Sequence, residues 1–220
     1  MLKLVLLFFV LLSVAFSDSC VKNFTDAQRS EFVRAHNYYR QLIASGNQSG
    51  FPAASNMNQV SWDKEVETLA QNWASTNPNG HNPTRKLPTR PTAYVGENIY
   101  WSWRSQSTPI TPGTANVTAA VVSWFDEFKY WSGDVGSFKN PTSGQVVGHF
   151  TQLIWADTSS IGCGISDCVT KSGSMYSQKV AIVCDYYTGG NILSQPIYKK
   201  GTKCSACAKG CSKVFPALCA

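Results

Sequence analysis

The chain has 220 residues and carries 19 Lys and Arg against 13 Asp and Glu, a formal net charge of +6 at pH 7. That length suits one domain with a substantial core and leaves little room for a second. The basic residues are scattered with no long Lys/Arg run, so the charge favours solubility and contact with an acidic surface and gives no support for nucleic-acid binding.

The chain opens with Met1-Leu2-Lys3, runs almost unbroken through apolar residues from Leu4 to Phe16, and reaches the small residue Ser17. This is the pattern of a secretory signal peptide over residues 1–17, with the mature chain starting at Asp18. A membrane-spanning helix needs about 20 apolar residues and different flanks, so no integral membrane segment is expected in the mature chain. Loss of Lys3 lowers the formal charge from +6 to +5.

Thr25-Asp26-Ala27-Gln28 reads as a capping box that starts a helix. The helix continues to about Ala44, with Phe32, Val33, Tyr39, Leu42 and Ile43 on one face and Gly46 just past the end. A second helix is predicted from about Asp63 to Ala74 around Trp62, Val66, Leu69, Ala70 and Trp73. A third runs from about Thr118 to Tyr130 around Val121, Trp124, Phe125 and Phe128. Strands are predicted at about Gly96 to Trp101, Ser160 to Ser166 and Lys179 to Tyr186. Proline-rich loops occupy Asn77 to Pro91 and Ser105 to Gly113. Helices interspersed with a few strands indicate an α+β protein.

Eight cysteines, none in the leader, are an even number in a chain addressed to an oxidising compartment and read as four disulfides. The competing reading is a zinc site at Cys204-x-x-Cys207. The dense run Cys204, Cys207, Cys211 and Cys219 marks a stapled extension rather than a cored domain. Sequons at Asn23, Asn47 and Asn116 point the same way, to a secreted, extracellular glycoprotein, while Asn82 and Asn140 are excluded by the proline that follows each.

Gly148-His149-Phe150-Thr151-Gln152-Leu153-Ile154-Trp155 and Ile182-Val183-Cys184-Asp185-Tyr186 resemble the two signature blocks of the CAP superfamily. The likeness extends to the venom-allergen-like, activation-associated secreted proteins of parasitic nematodes. The second block departs from the pattern at Asp185 and Thr188, while Tyr186, Gly190 and Asn191 fit. The resemblance implies a single CAP domain over residues 18–197, built as a three-layer α-β-α sandwich, followed by a cysteine-rich hinge-like tail over 198–220. It implies the pairs Cys163–Cys184, Cys204–Cys211 and Cys207–Cys219, which leaves Cys20 and Cys168 for each other. The sequence ends at Ala220 without the longer module of channel-blocking relatives, so channel block is not expected.

The resemblance also maps a central cleft onto His81, Glu97, Glu127 and His149. Imidazoles and carboxylates suit zinc or a similar divalent ion, an optional cofactor that folding does not require. The alternative is a hydrogen-bonded network that holds the cleft together. His36 reads as a satisfied structural histidine, with Arg40 pairing locally. There is no His-Glu-x-x-His and no Gly-x-Ser-x-Gly, so a metal-dependent hydrolase is open only through the dispersed tetrad.

Phe128 to Phe138 occupies the place of a sterol-binding aromatic loop in the resembled family, with Tyr130, Trp131 and Phe138 as lipid contacts and Phe128 facing the core. Val135 stands where an aromatic is usual, and Val135→Phe is expected to be tolerated. A groove between the first and fourth helices is the family's alternative, a fatty-acid site. The expected function is a secreted effector that binds a sterol, a fatty acid or a host protein and acts on immunity, with the metal-dependent hydrolase as the alternative.

Overall fold

The computed structural model describes residues 19–140 and 144–220, so the expected leader lies outside the described residues. Its elements in chain order are β1 (Ser19–Val21), α1 (Asp26–Ala44), β2 (Ser61–Trp62), α2 (Lys64–Ala74), β3 (Gly96–Gln106), α3 (Val117–Asp126), a 3-10 turn (Glu127–Tyr130), α4 (Gly148–Leu153), β4 (Ser160–Ser172) and β5 (Met175–Tyr187). The strands form one sheet in the order β1-β4-β5-β3, with β2 parallel to β4 at the same edge as β1.

The capping box forms as the sequence predicts. Thr25 Oγ1 accepts the Gln28 backbone N–H at 3.2 Å, and Gln28 Oε1 accepts that of Thr25 at 2.9 Å. The buried face of α1 departs from the predicted apolar stripe: beside Phe32 and Ile43 it buries His36, Asn37 and Arg40. Burying polar groups is tolerated only when their hydrogen bonds are satisfied. Asn37 exchanges two bonds of 2.9 Å with the Val60 backbone. Arg40 does not pair locally; it donates to the carbonyls of Asn58, Leu153, Trp155, Ala156 and Thr158 at 2.7–3.2 Å. Periodicity registers apolar residues only, so this polar seam escapes it.

Strand residues alternate between two helical layers. Val183 and Ile99 face Ala70 and Ala74 of α2. Ile161, Cys163, Ile165, Ile182, Cys184 and Tyr186 face the other way and share the main core with α1, α3 and α4. Gly162 and Gly164 lie so close to α2 that an added Cβ would collide with the backbone of Val66, Glu67, Ala70 and Gln71. The result is the expected three-layer α+β sandwich.

Both β4 and β5 run well past their predicted ends, because their polar distal residues extend as an antiparallel ribbon closed by a turn at Gly173 (φ +58°). β3 likewise continues to Gln106, into the predicted loop, since its backbone has Tyr176 to pair with. α3 stops at Asp126 and tightens into the 3-10 turn, rather than continuing to Tyr130 as an α-helix. Among the described residues no helix is long and apolar enough to cross a membrane.

The structure joins Cys20–Cys168, Cys163–Cys184, Cys204–Cys211 and Cys207–Cys219, with no free thiol among the described residues. The first two link directly opposed residues, Cys20 of β1 to Cys168 of β4 and Cys163 of β4 to Cys184 of β5. The tail, read as an extension without a core of its own, shares the core of the body. Ala217 and Leu218 are buried within the main cluster, and Met57 O and Cys219 O accept from Cys219 N and Gln59 N at 2.8 and 2.9 Å.

His36 is fully buried, with Nδ1 on Phe32 O at 2.8 Å and Nε2 on the Tyr186 hydroxyl at 2.9 Å. Burial pushes its pKa down to about 4, with nearby Arg40 acting in the same direction. The unfolded chain protonates this ring near its ordinary value and the folded one resists, so stability is full above about pH 6.5 and falls away as the pH drops toward 4. Denaturant titrations across that range should show a loss of about 3 kcal/mol in the wild type that His36→Gln lacks. Parallel curves for the two proteins would remove His36 as the cause.

Candidate functional site

The cleft is organised by the edge strand β3, whose consecutive residues point to opposite faces. Glu97 lies on the α2 side, opposite Asp185 in register, while Asn98 lies on the side of α1, α3 and α4. Glu97 Oε1 sits 2.6 Å from His81 Nδ1 and accepts the Asn82 backbone N–H at 3.0 Å. Asn98 donates to the carbonyl of His149 and to the Tyr186 hydroxyl, each at 3.0 Å. One strand thereby holds both histidine segments.

His81 comes from a loop, and its frame is built from long-range bonds. Trp73 Nε1 donates to Gly80 O, Trp101 Nε1 to Pro78 O, and Arg85 ties Val95 O to Asn82 O, all at 2.9–3.0 Å. His149 opens α4, whose first turn lacks a side-chain cap from its own sequence. Glu127 supplies one from the 3-10 turn. Its Oε2 accepts the backbone N–H groups of His149 and Phe150 at 3.0 and 3.1 Å, and its Oε1 sits 2.6 Å from His149 Nδ1. Without the tightening after Asp126, Glu127 would continue along α3.

The structure brings all four residues together, in unequal roles. The His81 and His149 rings lie 6.4 Å apart, tilted by 31°, and the indole of Trp124 lies 6.4 Å from His149 on a nearly parallel plane. A carboxylate can only accept, so each Nδ1 carries a proton, and in the neutral ring each Nε2 presents its lone pair. The glutamates stand behind the imidazoles and orient them, so the two rings face the cleft with carboxylates at their backs. Among the described residues no group of three or more His, Cys, Asp or Glu is placed to hold one ion. The donor chemistry fits a divalent cation bound at two points, with water completing its coordination. His81 is half exposed and His149 about a fifth, and a cavity of about 260 Å³ opens beside His81, lined by Arg85, Tyr94, Glu97, Gln152 and Asn191 among others.

Asp185, which departs from the resembled pattern, is fully buried, and neither carboxyl oxygen has a hydrogen-bond partner among the described residues. Burial holds its pKa well above the carboxylate range, Glu97 opposite adds to that, and Arg85 opposes it. The departure was visible in the sequence, but its burial was not.

The aromatic loop folds inward. Phe138 is buried, stacked on Trp131 at 6.3 Å and edge-on to Trp155 at 6.1 Å, and Val135 is buried beside it, so Phe138 is a core residue and not a free lipid contact. Backbone pairs Phe138 N to Gln195 O and Ile197 N to Val135 O pin the loop. Tyr130 is exposed, Trp131 is half-buried, and Phe128 packs against Phe51, Phe125 and Phe150. The surface recess beside α1 lies against α3, lined by Arg34, Ala35, Tyr38, Tyr39 and Thr118. The six residues of α4 instead reach inward, where Leu153 O meets Arg40.

Two outcomes follow from these buried positions. An acid whose folded pKa is raised gives stability below its unfolded pKa, about 3.9, and that stability is lost as the pH rises through the folded value. Asp185→Asn should therefore melt at increasingly higher temperature than the wild type as the pH climbs above about 4, and a constant difference would contradict this. Val135→Phe, expected from the sequence to be tolerated, should overpack the loop and cost about 1–3 kcal/mol in denaturant unfolding.

The family model described as the cysteine-rich secretory protein family, CAP, matches residues 33–186. Scoloptoxin SSD976 from Scolopendra dehaani is 35% identical over 203 residues, covering 92% of this chain and 88% of its own. Human cysteine-rich secretory protein 2 is 36% identical over 187 residues, covering 83% of this chain and 66% of its own. The solved structure of BmVAL-1 aligns with a TM-score of 0.73 at 30% identity, covering 90% of this chain and 95% of that one. The crystal structure of NaASP2 with Zn2+ aligns with a TM-score of 0.66 at 28% identity, covering 89% and 96%. These curated relatives come from a centipede and a human, so they do not carry the expected nematode affinity. The chain belongs to the cysteine-rich secretory protein (CAP) family.

Proposed function

We propose that this chain is a secreted, glycosylated CAP effector that binds rather than catalyses, with His81 and His149 as a two-point site for zinc or a similar divalent cation. The observation that carries the reading is the pair of 2.6 Å contacts that turn each Nδ1 onto a glutamate and leave each Nε2 as a donor. A similar protein, NaASP2, has been crystallised with Zn2+. A metal-dependent hydrolase needs a base within reach of a bound water. Here Glu97 Oε1 and both oxygens of Glu127 are taken up in orienting the rings and capping α4, and Glu97 Oε2 is buried, with no hydrogen-bond partner among the described residues. Four disulfides and the relatives' family support secretion.

The effector's partner on this reading is a sterol, a fatty acid or a host protein, and an immunomodulatory role in a nematode is the finer form of the proposal. Exposed Tyr130 with half-buried Trp131 is the remaining aromatic contact at the loop, and the recess between α1 and α3 is the apolar alternative. Titration calorimetry with zinc tests the cation site. His81→Ala and His149→Ala should each abolish binding, and Glu97→Gln and Glu127→Gln should weaken it by about 10- to 100-fold. Unchanged affinity in both histidine variants would place the metal elsewhere, and ester turnover lost in the same variants would favour the hydrolase.

A further inference from the structure

Asn116 is the N-cap of α3 and the acceptor residue of the sequon Asn116-Val117-Thr118. Its Oδ1 is taken up by Thr118, accepting the backbone N–H at 3.0 Å and the hydroxyl at 2.6 Å. This leaves Nδ2, the atom to which a sugar is attached, without a partner on the helix, and the residue is exposed. Beside it lies a recess of about 230 Å³ that the cleft does not use. Half-buried Tyr100 contributes apolar surface to it over a floor of buried Val180 and Ile182, Asn116 and Ala119 line it from α3, and Arg104 adds a cationic group. Below Arg104 the polar side is fixed: its Nε meets Gln178 Oε1, and Gln178 Nε2 donates to buried Asp167 at 2.6 Å.

A pyranose presents C–H faces to apolar and aromatic surface and hydroxyl or acetamido groups at its rim, which is the mixture this recess offers. Sites for drug-sized ligands hold about 300–1,000 Å³, so a volume below that range suits a single ring. We propose that the recess seats the first N-acetylglucosamine of a glycan carried by Asn116, covering the strands at the start of α3. The inference rests on the secretory reading above. The bond forms between Asn116 Nδ2 and the anomeric carbon of the sugar. The amide gives up one proton, and the lipid diphosphate of the donor oligosaccharide leaves.

The other sequons serve as internal controls, since Asn23 and Asn47 are exposed and neither lines this recess. The test expresses the full chain in a secreting eukaryotic cell and follows release of each glycan by peptide N-glycosidase F from the native protein, read site by site by mass spectrometry. Release at Asn116 should be about tenfold slower than at Asn23 and Asn47, and denaturation should erase the difference. Filling the recess, which Ser102 also lines, with Ala119→Phe or, separately, Ser102→Trp should bring Asn116 to the rate of the other sites while its occupancy stays intact. Equal release at the occupied sites of the native wild type overturns the proposal, as does an unoccupied Asn116 beside occupied Asn23 or Asn47. No glycan at any of the three would overturn the secretory reading together with it.

Discussion

Arg40 is the constraint on which the rest of the molecule depends. Its guanidinium is buried, has no carboxylate partner among the described residues and is satisfied by five backbone carbonyls, four of them between Leu153 and Thr158. Hydrogen bonds to a charged donor contribute about 1.5–3 kcal/mol each, against a desolvation cost of several kcal/mol for the buried ion. Burial lowers the pKa to about 9, so the group remains charged at neutral pH. Four of the carbonyls it gathers belong to the end of α4 and the turn into β4, outside any strand ladder, and the fifth is Asn58 O. Removing the guanidinium would take the donor from the carbonyls of Asn58, Leu153 and Thr158 at once, while Trp155 O and Ala156 O keep the backbone donors Thr158 N and Asn58 N. α1 is therefore the template on which the segment from His149 to β4 is laid.

The cleft depends on a similar economy at its two glutamates. Glu127 caps α4 and orients His149 with one carboxylate, so the helix that carries the imidazole and the group that aims it are fixed together. Glu97 does the same for the loop at His81 and Asn82. Two imidazoles from opposite faces of the sheet meet around the edge of β3 because neighbouring strand residues, Glu97 and Asn98, reach in opposite directions. Rigid supports of this kind hold the Nε2 lone pairs in fixed positions.

Much of this architecture was legible in the sequence. The Thr25 capping box, the helix cores and the cysteine spacing each reflect local chemistry, and the signature block around His149 carried the family. What escaped depends on partners far along the chain. Arg40 and Asn37 look like an ordinary polar helix face until residues 58 to 60 and 153 to 158 fold against them. The distal halves of β4 and β5 lack strand-like apolar content, and pairing with each other supplies what composition does not. Phe138 looked like a loop aromatic because nothing local reveals that Trp131 and Trp155 enclose it. The roles within the tetrad were open for the same reason: spacing places residue types, and only geometry separates a ligand from its support.

The insertion of Leu218 into the main core changes how the tail should be regarded. Leu218 sits in a short loop closed by Cys207–Cys219, so a redox event at the periphery and the order of the interior form one cooperative unit. A thiol donor that opened that loop would loosen the hold on Leu218, which shares the main core with Tyr198 and Ile197, and a reductive environment would be felt as loss of packing away from the sulfur atoms. Durability outside the cell and fragility in a reducing compartment would then be two faces of the same buried leucine.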